Sequence, residues 1–204
     1  KTKLWILGND LFKTEYTLTY IKEQNWNAVW ESSFEPVIVD NKCTVKASFH
    51  KGLPRTKYTI KIDPKMAFGT GHHETTSLMI RMMLNMEKEI KGIQVLDMGC
   101  GTGILSILAA KMKAATPVHA IDIDQTAVNS ALENNYKNRV GDKIKTLCGD
   151  ASLLQMGKYD LILANINRNI LLEDMSTYVR SMRPGGRLIV SGFYEEDIIM
   201  LQTQ

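Results

Sequence analysis

The chain has 204 residues, of which 44% are hydrophobic, and its 25 lysines and arginines against 22 aspartates and glutamates give a formal net charge of +3. This composition is ordinary for a globular protein with a real core, and so small a charge does not require nucleic acid as a partner. We find no signal-peptide pattern and no apolar run of about eighteen residues, so we expect a cytoplasmic protein with no membrane association. The cysteines Cys43, Cys100 and Cys148 share no metal-type spacing, which fits a reducing compartment and predicts no metal site.

The first 24 residues contain one plausible strand, Tyr16–Ile21, and little else that could form a core. Because the chain begins with lysine rather than methionine, we expect residues 1–24 to be the remnant of an N-terminal domain. Trp26, Trp30 and Phe34 follow at four-residue spacing, which places three aromatic side chains on one helical face. We interpret this stripe as the joint between the N-terminal module and the main domain.

Residues 25–62 are predicted to complete this joint with a β-hairpin region. Val37–Val39 and residues 43–49 flank a turn at Asp40-Asn41-Lys42, the pattern of a hairpin. Residues 56–62 alternate apolar and polar side chains, as expected of a half-buried strand.

Residues 63–204 are predicted to form the main domain, in which strand and helix patterns alternate along the chain. The predicted helices span residues 75–84, 104–113, 125–136 and 168–182. The predicted strands span residues 93–98, 118–121, 144–148, 159–164 and 187–191, the last after a Pro-Gly-Gly turn. This alternation predicts an α/β fold, with a mostly parallel sheet covered by helices on both faces.

A glycine-rich loop follows the first of these strands and leads directly into a helix. It places Gly99, Gly101 and Gly103 at alternate positions, and Asp97 precedes them. Glycine lets the backbone turn tightly and approach a ligand closely, and the helix N-terminus offers free N–H groups. The loop therefore predicts a site for a nucleotide-type ligand.

The spacing of the glycines argues against a dinucleotide. Enzymes that bind NAD use the spacing G-x-G-x-x-G/A, but Ile104 follows Gly99 and Gly101 where the last glycine is required. The alternative register, which starts at Gly101, meets Ser106 there. Neither register fits the dinucleotide pattern.

Polar residues follow the next strands at the same edge of the predicted sheet. Asp122 and Ile123 end the second strand, Asp150 and Ala151 follow the third, and Asn165 ends the fourth. Because α/β proteins bind ligands at the carboxyl ends of parallel strands, we expect these residues to line one site together with the glycine loop. Such an aspartate is also a common helix cap: we expect Asp124 to cap the helix predicted at 125–136, and the same alternative stays open for Asp150.

The pattern from Asp97 to Gly103 resembles the first motif of Rossmann-like class I methyltransferases, which use S-adenosylmethionine. The resemblance implies that Asp97 suits the ammonium group of this cofactor and that Asp122 accepts hydrogen bonds from its ribose hydroxyls. It implies further that Asp150 meets the adenine amino group.

Three further segments resemble the ribosomal protein L-eleven methyltransferases, the PrmA family. They are Asp-Pro-Lys-Met-Ala-Phe-Gly-Thr-Gly-His-His-Glu-Thr-Thr at 63–76, Asn-Ile-Asn at 165–167 and Pro-Gly-Gly-Arg-Leu-Ile-Val-Ser-Gly at 184–192. The resemblance covers residues 25–200, implies a bacterial source, and makes residues 1–24 part of an N-terminal α+β recognition domain. Since a class I sheet normally has two more strands, we also expect the C-terminal strands to be missing.

The family resemblance implies roles for particular residues. The cofactor would be held by the residues that match four family positions, namely Thr76, Gly99, Asp122 and Asn165. The loop of Phe68, Gly69 and Thr70 would cover its methionine end. The implied reaction methylates lysine side chains and the N-terminal amine of the ribosomal protein, leaves S-adenosylhomocysteine, and uses Asn165 to orient the amine.

Several alternatives remain at this point. Methyltransferases that act on amide or base nitrogens often carry Asn/Asp-Pro-Pro-Tyr/Phe where this chain has Asn165-Ile166-Asn167, which favours an amine over RNA without excluding another substrate. A nucleotide-binding protein without catalysis and an NAD-dependent oxidoreductase are further possibilities. His72-His73-Glu74 lacks the H-E-x-x-H spacing of a zinc site. We expect a monomer that requires neither a metal nor nucleic acid.

Overall fold

The computed structural model describes residues 35–63 and 74–202 of the chain. The predicted strand Tyr16–Ile21, the aromatic stripe and the loop with Phe68, Gly69 and Thr70 lie outside these residues.

A small sheet of three strands precedes the main domain. Its strands are β1 (Val37–Val39), β2 (Cys43–Lys46) and β3 (Tyr58–Lys61). β1 and β2 form the predicted hairpin, and Asp40 and Asn41 both adopt left-handed backbone angles in its turn. β3 then pairs with β2 in parallel, an arrangement that we did not predict.

The main sheet contains five strands, all parallel, in the order β6-β5-β4-β7-β8. They are β4 (Val95–Met98), β5 (Val118–Asp122), β6 (Ile144–Cys148), β7 (Tyr159–Asn165) and β8 (Met182–Ser191). The chain starts the sheet at its centre, moves outward through β5 and β6, and then crosses to β7 on the other side. The strand order therefore reverses beside β4, which is where α/β sheets open a crevice for ligands.

Helices precede, connect and follow the strands of this sheet. They are α1 (Glu74–Asn85), α2 (Glu87–Ile90), α3 (Ile104–Lys111), α4 (Gln125–Lys137), α5 (Arg168–Ser181) and α6 (Ile198–Gln202). Asp124 caps α4 as predicted, since its side chain accepts a hydrogen bond from the Thr126 N–H at 2.8 Å. α3 is buried from Ile104 to Ala110 and so lies entirely within the core.

Two apolar cores lie on opposite faces of the main sheet, because neighbouring side chains of a strand point to opposite faces. Val95 of β4 belongs to the core that contains α1 and α3, whereas Leu96 belongs to the core that contains α5. Ile60 of β3 also belongs to the first core, so the small sheet shares a core with the main domain. The α/β prediction, with a parallel sheet and helices on both faces, is confirmed.

Three of the differences between the predicted and observed element bounds have a clear local cause. α3 ends at Lys111, two residues early, because Lys113 adopts a left-handed conformation with φ of 66°. β2 ends at Lys46 because a turn follows, in which the Ala47 N–H donates to His50 Nδ1. β8 begins at Met182, and the predicted Pro-Gly-Gly turn is instead an irregularity within this strand.

Candidate functional site

A cavity of about 700 Å³ opens at the carboxyl ends of β4, β5, β6 and β7. This volume lies within the range of about 300–1,000 Å³ that is usual for small-ligand sites. Eight of the residues singled out from the sequence line the cavity, namely Thr76, Asp97, Gly99, Gly101, Asp122, Ile123, Asp150 and Asn165. Gly103 and Ala151 are not among its lining residues, and Phe68, Gly69 and Thr70 lie outside the described part of the chain.

The glycine loop forms the floor of the cavity. Gly99, Gly101 and Gly103 have φ angles of 66°, 53° and 80°, a left-handed conformation that favours glycine. The loop is held to β5 by the Cys100 N–H, which donates to the Ile121 carbonyl at 3.0 Å. Close packing also requires glycine at 103, where an added Cβ would lie 3.2 Å from the Ala131 Cβ.

Asp97 is the most deeply buried carboxylate that lines the cavity, with 1% of its surface exposed. Its pKa is raised to about 7, mainly by burial and also by the nearby Asp122 carboxylate, while hydrogen bonding to Ser106 acts in the opposite direction. The Ser106 N–H donates to Asp97 Oδ2 at 2.9 Å and holds the side chain in place. Among residues 35–63 and 74–202 no side chain forms an ion pair with Asp97, and a buried carboxylate of this kind is suited to receive a cationic group of a ligand.

Asp122 is orientated by two backbone hydrogen bonds. The Gly101 N–H donates to Oδ2 at 2.8 Å, and the Asp124 N–H donates to Oδ1 at 3.0 Å. Each carboxylate oxygen can accept about two hydrogen bonds, so both oxygens retain capacity for ligand hydroxyls. The bond to Gly101 also ties the glycine loop to the end of β5.

Asp150 is a helix cap and also a lining residue of the cavity. It caps the 3-10 helix Ala151–Leu153, because its Oδ1 accepts from the Ser152 N–H at 2.9 Å, and it also lines the cavity. These hydrogen bonds from Ser152 lower its pKa, so the group stays a carboxylate. Ile123 lies at the same cavity with 74% of its surface exposed and offers an apolar face there.

Asn165 is held by two hydroxyl groups from different elements. Its Nδ2 donates to Thr76 Oγ1 of α1 at 3.1 Å, and its Oδ1 accepts from Ser191 Oγ of β8 at 2.6 Å. The amide is therefore fixed in one orientation at the carboxyl end of β7. We did not predict the contribution of Ser191, since serine at a strand end has no distinctive signal.

Ile166, Asn167, Ile170 and Asp174 also line the cavity and were not predicted as site residues. Ile166 packs over Gly99 so closely that an added Cβ there would overlap its Cγ2. Its carbonyl oxygen also lies so close to Gly192 that a Cβ added there would overlap it. Residues that follow β4, β7 and β8 therefore form this part of the cavity wall. The close packing of Ile166 against the two glycines could not be predicted from the sequence.

Cys100 lies in the glycine loop but is 6% exposed, and burial raises the pKa of its thiol well above the usual range. We interpret Cys100 as a residue that fills space in the loop, because a nucleophilic cysteine requires a lowered pKa. Within residues 35–63 and 74–202, no group of three His, Cys, Asp or Glu side chains is arranged to hold a metal ion. In the same residues no helix is long and apolar enough to cross a membrane.

Comparison with known proteins relates the whole chain to one family. The family model for Ribosomal protein L11 methyltransferase (PrmA) matches residues 3–204. The proteins named Ribosomal protein L11 methyltransferase from Bacteroides thetaiotaomicron and Phocaeicola vulgatus are 50% and 49% identical to the chain over 195 and 194 residues. Each alignment covers 94% of this chain and 68% of the relative.

A solved structure shows the same fold. The crystal structure of ribosomal protein L11 methylase from Lactobacillus delbrueckii subsp. bulgaricus superposes with a TM-score of 0.73 and 30% sequence identity. The match covers 83% of this chain and 86% of that one. The chain belongs to the ribosomal protein L11 methyltransferase (PrmA) family.

Proposed function

We propose that the protein transfers methyl groups from S-adenosylmethionine to amino groups of ribosomal protein L11, namely lysine side chains and the N-terminal amine. One observation supports this most directly. The cavity presents a buried carboxylate, Asp97, and a second carboxylate, Asp122, on either side of a glycine loop. A cationic amino acid group and a ribose with two hydroxyls are the complementary groups of this cofactor.

The residues of the cavity fit the proposed cofactor in their chemistry. Asp97 would hold the ammonium group, Asp122 the ribose hydroxyls, and Ile123 with Asp150 the adenine. Phe68, Gly69 and Thr70 would complete the site over the methionine end, and Gly103 and Ala151 would shape the backbone beside it. The cofactor supplies an activated methyl group on a sulfonium, so the protein has mainly to bind, orientate and exclude water.

Asn165 is the residue that we propose to orientate the acceptor amine. Its amide is fixed between Thr76 and Ser191, so that any remaining lone pair of Oδ1 has a defined direction. An attacking lysine must be neutral, although its free pKa is about 10.4. The positive sulfonium and partial burial both lower the pKa of the amine, and an amide acceptor orientates the remaining N–H.

The proposed acceptor agrees with the residues that follow β7. Asn165-Ile166-Asn167 contains no proline or aromatic side chain, and Ile166 packs on Gly99. A tetrahedral amine needs no flat aromatic clamp, whereas a planar base or amide benefits from one. This difference favours a lysine or α-amine over RNA as the methyl acceptor.

Purified ribosomal protein L11 with radiolabelled S-adenosylmethionine tests the proposal, and mass spectrometry identifies the methylated amines. We expect methylation of L11 by the wild type, a loss of about tenfold or more with Asn165→Ala, and a larger loss with Asp122→Ala. Asp142→Ala is the matched control, because Asp142 is exposed and does not line the cavity. Transfer to RNA but not to protein, or equal rates for Asn165→Ala and the wild type, would contradict the assignment.

Calorimetry separates cofactor binding from transfer. S-adenosylhomocysteine should bind the wild type and not Asp122→Ala, and NAD should bind neither. Tight binding of NAD would contradict the proposed cofactor.

The domain organisation, the cellular location and the oligomeric state belong to the same proposal. We assign residues 1–24 to a substrate-recognition domain, 25–62 to the joint and 63–204 to the cofactor-binding domain. The enzyme would act in the cytoplasm as a monomer, away from membranes, without a metal and without bound nucleic acid. We expect the methyltransferase activity to elute at the mass of a monomer in size-exclusion chromatography. Neither EDTA nor nuclease should change this activity.

A further inference from the structure

A polar residue outside the cavity is connected to the glycine loop. Asn134 of α4 has 1% of its surface exposed, and its Nδ2 donates to the Thr102 carbonyl at 3.0 Å. Thr102 is fully buried and lies between Gly101 and Gly103. Asn134 does not line the cavity, so any effect on a ligand acts through the loop.

The loop needs such a tether because its backbone is unusual. Gly101 and Gly103 both adopt left-handed angles. The peptide groups that join them to Thr102 can therefore rotate at small steric cost. Other bonds also hold this segment, since the Gly101 N–H donates to Asp122 Oδ2 at 2.8 Å, and the Gly103 N–H, which belongs to the same peptide group as the Thr102 carbonyl, donates to the Cys100 carbonyl at 2.8 Å. The bond from Asn134 holds the carbonyl end of this peptide group from the side of α4, while the bond to Cys100 holds its N–H end.

Packing supports the same arrangement. Ala131, one turn before Asn134 on α4, is fully buried and would lie 3.2 Å from a Cβ added at Gly103. Helix residues three positions apart share a face, so Ala131 and Asn134 both face the loop. α4 therefore supports the loop through two contacts: Ala131 packs against Gly103, and Asn134 donates a hydrogen bond to Thr102.

We propose that Asn134 is a positioning residue for the cofactor: its amide holds the Thr102 carbonyl and so keeps Gly101 and Asp122 arranged for binding. This inference rests on the proposed function. Without the amide, the carbonyl end of this peptide group loses its bond to α4, so the loop is held less firmly in the conformation that binds the cofactor. Binding must then restore the loop, and the apparent affinity falls by the fraction of molecules that hold the binding-competent conformation.

The same helix offers a matched control. Asn138 is also buried, with 7% of its surface exposed, but its side chain bonds to β3 and to the main-chain carbonyl of Asn134, not to the glycine loop. Its Nδ2 donates to the Lys61 carbonyl at 2.7 Å, and its Oδ1 accepts from the Lys61 N–H at 2.9 Å. Replacing Asn138 thus removes buried amide bonds of the same helix without removing the bond to Thr102.

The test compares Asn134→Leu and Asn138→Leu by calorimetry with S-adenosylhomocysteine, together with thermal unfolding. We expect both variants to unfold at a lower temperature, and only Asn134→Leu to bind about tenfold more weakly. Asn134→Ala, which leaves room for water at the Thr102 carbonyl, should bind about threefold more weakly and serves if the leucine variant does not fold. Hydrogen exchange at the amides of residues 100–103 should quicken in the Asn134 variants alone.

Two outcomes would overturn this inference and leave the proposed function unaffected. One is wild-type binding in folded Asn134 variants, and the other is an equal loss of affinity in Asn138→Leu, which would show a general loss of stability. A folded wild type that does not bind S-adenosylhomocysteine would instead overturn the proposed function, and this inference with it.

Discussion

Ser191 Oγ donates a hydrogen bond of 2.6 Å to Asn165 Oδ1, which joins the ends of the neighbouring strands β8 and β7. Asn165 in turn donates to Thr76 Oγ1, so that its amide has one hydroxyl partner on each side. An amide held in this way has its donor and acceptor ends assigned by their partners. The direction in which Asn165 can accept a further hydrogen bond therefore depends on Ser191.

Replacing Ser191 by alanine should slow methyl transfer more than it weakens cofactor binding. Loss of one neutral hydrogen bond is worth about 0.5–1.5 kcal/mol, so we expect kcat to fall about threefold to tenfold. Ser191→Thr keeps the hydroxyl and should restore most of the rate. Steady-state kinetics with ribosomal protein L11 provide the measurement, with Ser176→Ala as an exposed control. An unchanged kcat in Ser191→Ala would show that Asn165 needs no support from β8.

Cofactor binding near neutral pH should release protons, because of Asp97. Burial raises the pKa of this carboxyl to about 7, and a ligand ammonium beside it favours the charged form. Binding of S-adenosylhomocysteine at pH 7 should then release about half a proton, and Asp97→Asn should abolish the release. Calorimetry in buffers of different ionisation enthalpy measures it. Release that persists in Asp97→Asn would assign the proton to another group.

The same carboxyl makes a prediction for stability. Its folded pKa is raised above the unfolded value of 3.8, so the folded state binds more protons between these two values. The contribution of Asp97 to stability is therefore greatest below about pH 4 and is lost as the pH rises through 7. Asp97→Asn should gain stability relative to the wild type between pH 5 and pH 8, as measured by urea unfolding. If the free energies of unfolding of Asp97→Asn and the wild type differed by the same amount at pH 5 and pH 8, the raised pKa would be contradicted.

Gly99→Ala should abolish binding of the cofactor for a steric reason as well as a conformational one. The added Cβ overlaps Ile166, and the φ of 66° disfavours alanine. Gly157→Ala is the matched control, because Gly157 has a similar φ of 60° but nothing within 4 Å of an added Cβ. Each variant should lose about 1–2 kcal/mol of stability from its backbone angle, and only Gly99→Ala should lose affinity as well. Calorimetry and unfolding of the two variants separate these effects; equal affinities would mean that Ile166 moves freely.

Acid should destabilise the protein partly through a buried histidine. His119 is 5% exposed and lies 3.0 Å from the Tyr159 hydroxyl. Its pKa is lowered from 6.5 to about 4, mainly by burial and also by the positive charges of Lys158 and Lys145. The unfolded state therefore binds more protons between these values, and the stability that the neutral imidazole contributes above pH 6.5 is lost as the pH falls towards 4.

A double variant tests this role of His119. His119→Phe with Tyr159→Phe removes both hydrogen-bonding partners, which is milder than leaving one of them unsatisfied. The free energy of unfolding should then fall less steeply between pH 6.5 and pH 4 than in Tyr159→Phe alone, which keeps the histidine. Parallel slopes in the two variants would show that His119 does not contribute to the acid sensitivity.

The order of strands and helices could be predicted because each depends on local patterns. Alternating apolar runs predicted β4 to β8, and Asp124 marked the start of α4 by a capping bond within its own helix. The carboxyl-edge rule then placed Asp97, Asp122 and Asn165 at one cavity, although they are far apart along the chain.

Other features depended on contacts between segments that are remote in the chain. The parallel pairing of β3 with β2, the position of Ile166 over Gly99 and the bond from Ser191 to Asn165 have no local signal. Each depends on which faces meet when the sheet and its helices pack.

The sequence by itself determined the α/β architecture, the edge of the sheet that carries the site, and the glycine and carboxylate chemistry there. It did so because hydrophobic periodicity, glycine conformation and capping act over a few residues. Only the tertiary structure decided that Asp97 is desolvated enough to raise its pKa and that Asn134 supports the glycine loop from behind. Burial and hydrogen-bond partners arise only when distant elements pack together, so they belong to the folded molecule and not to any one segment.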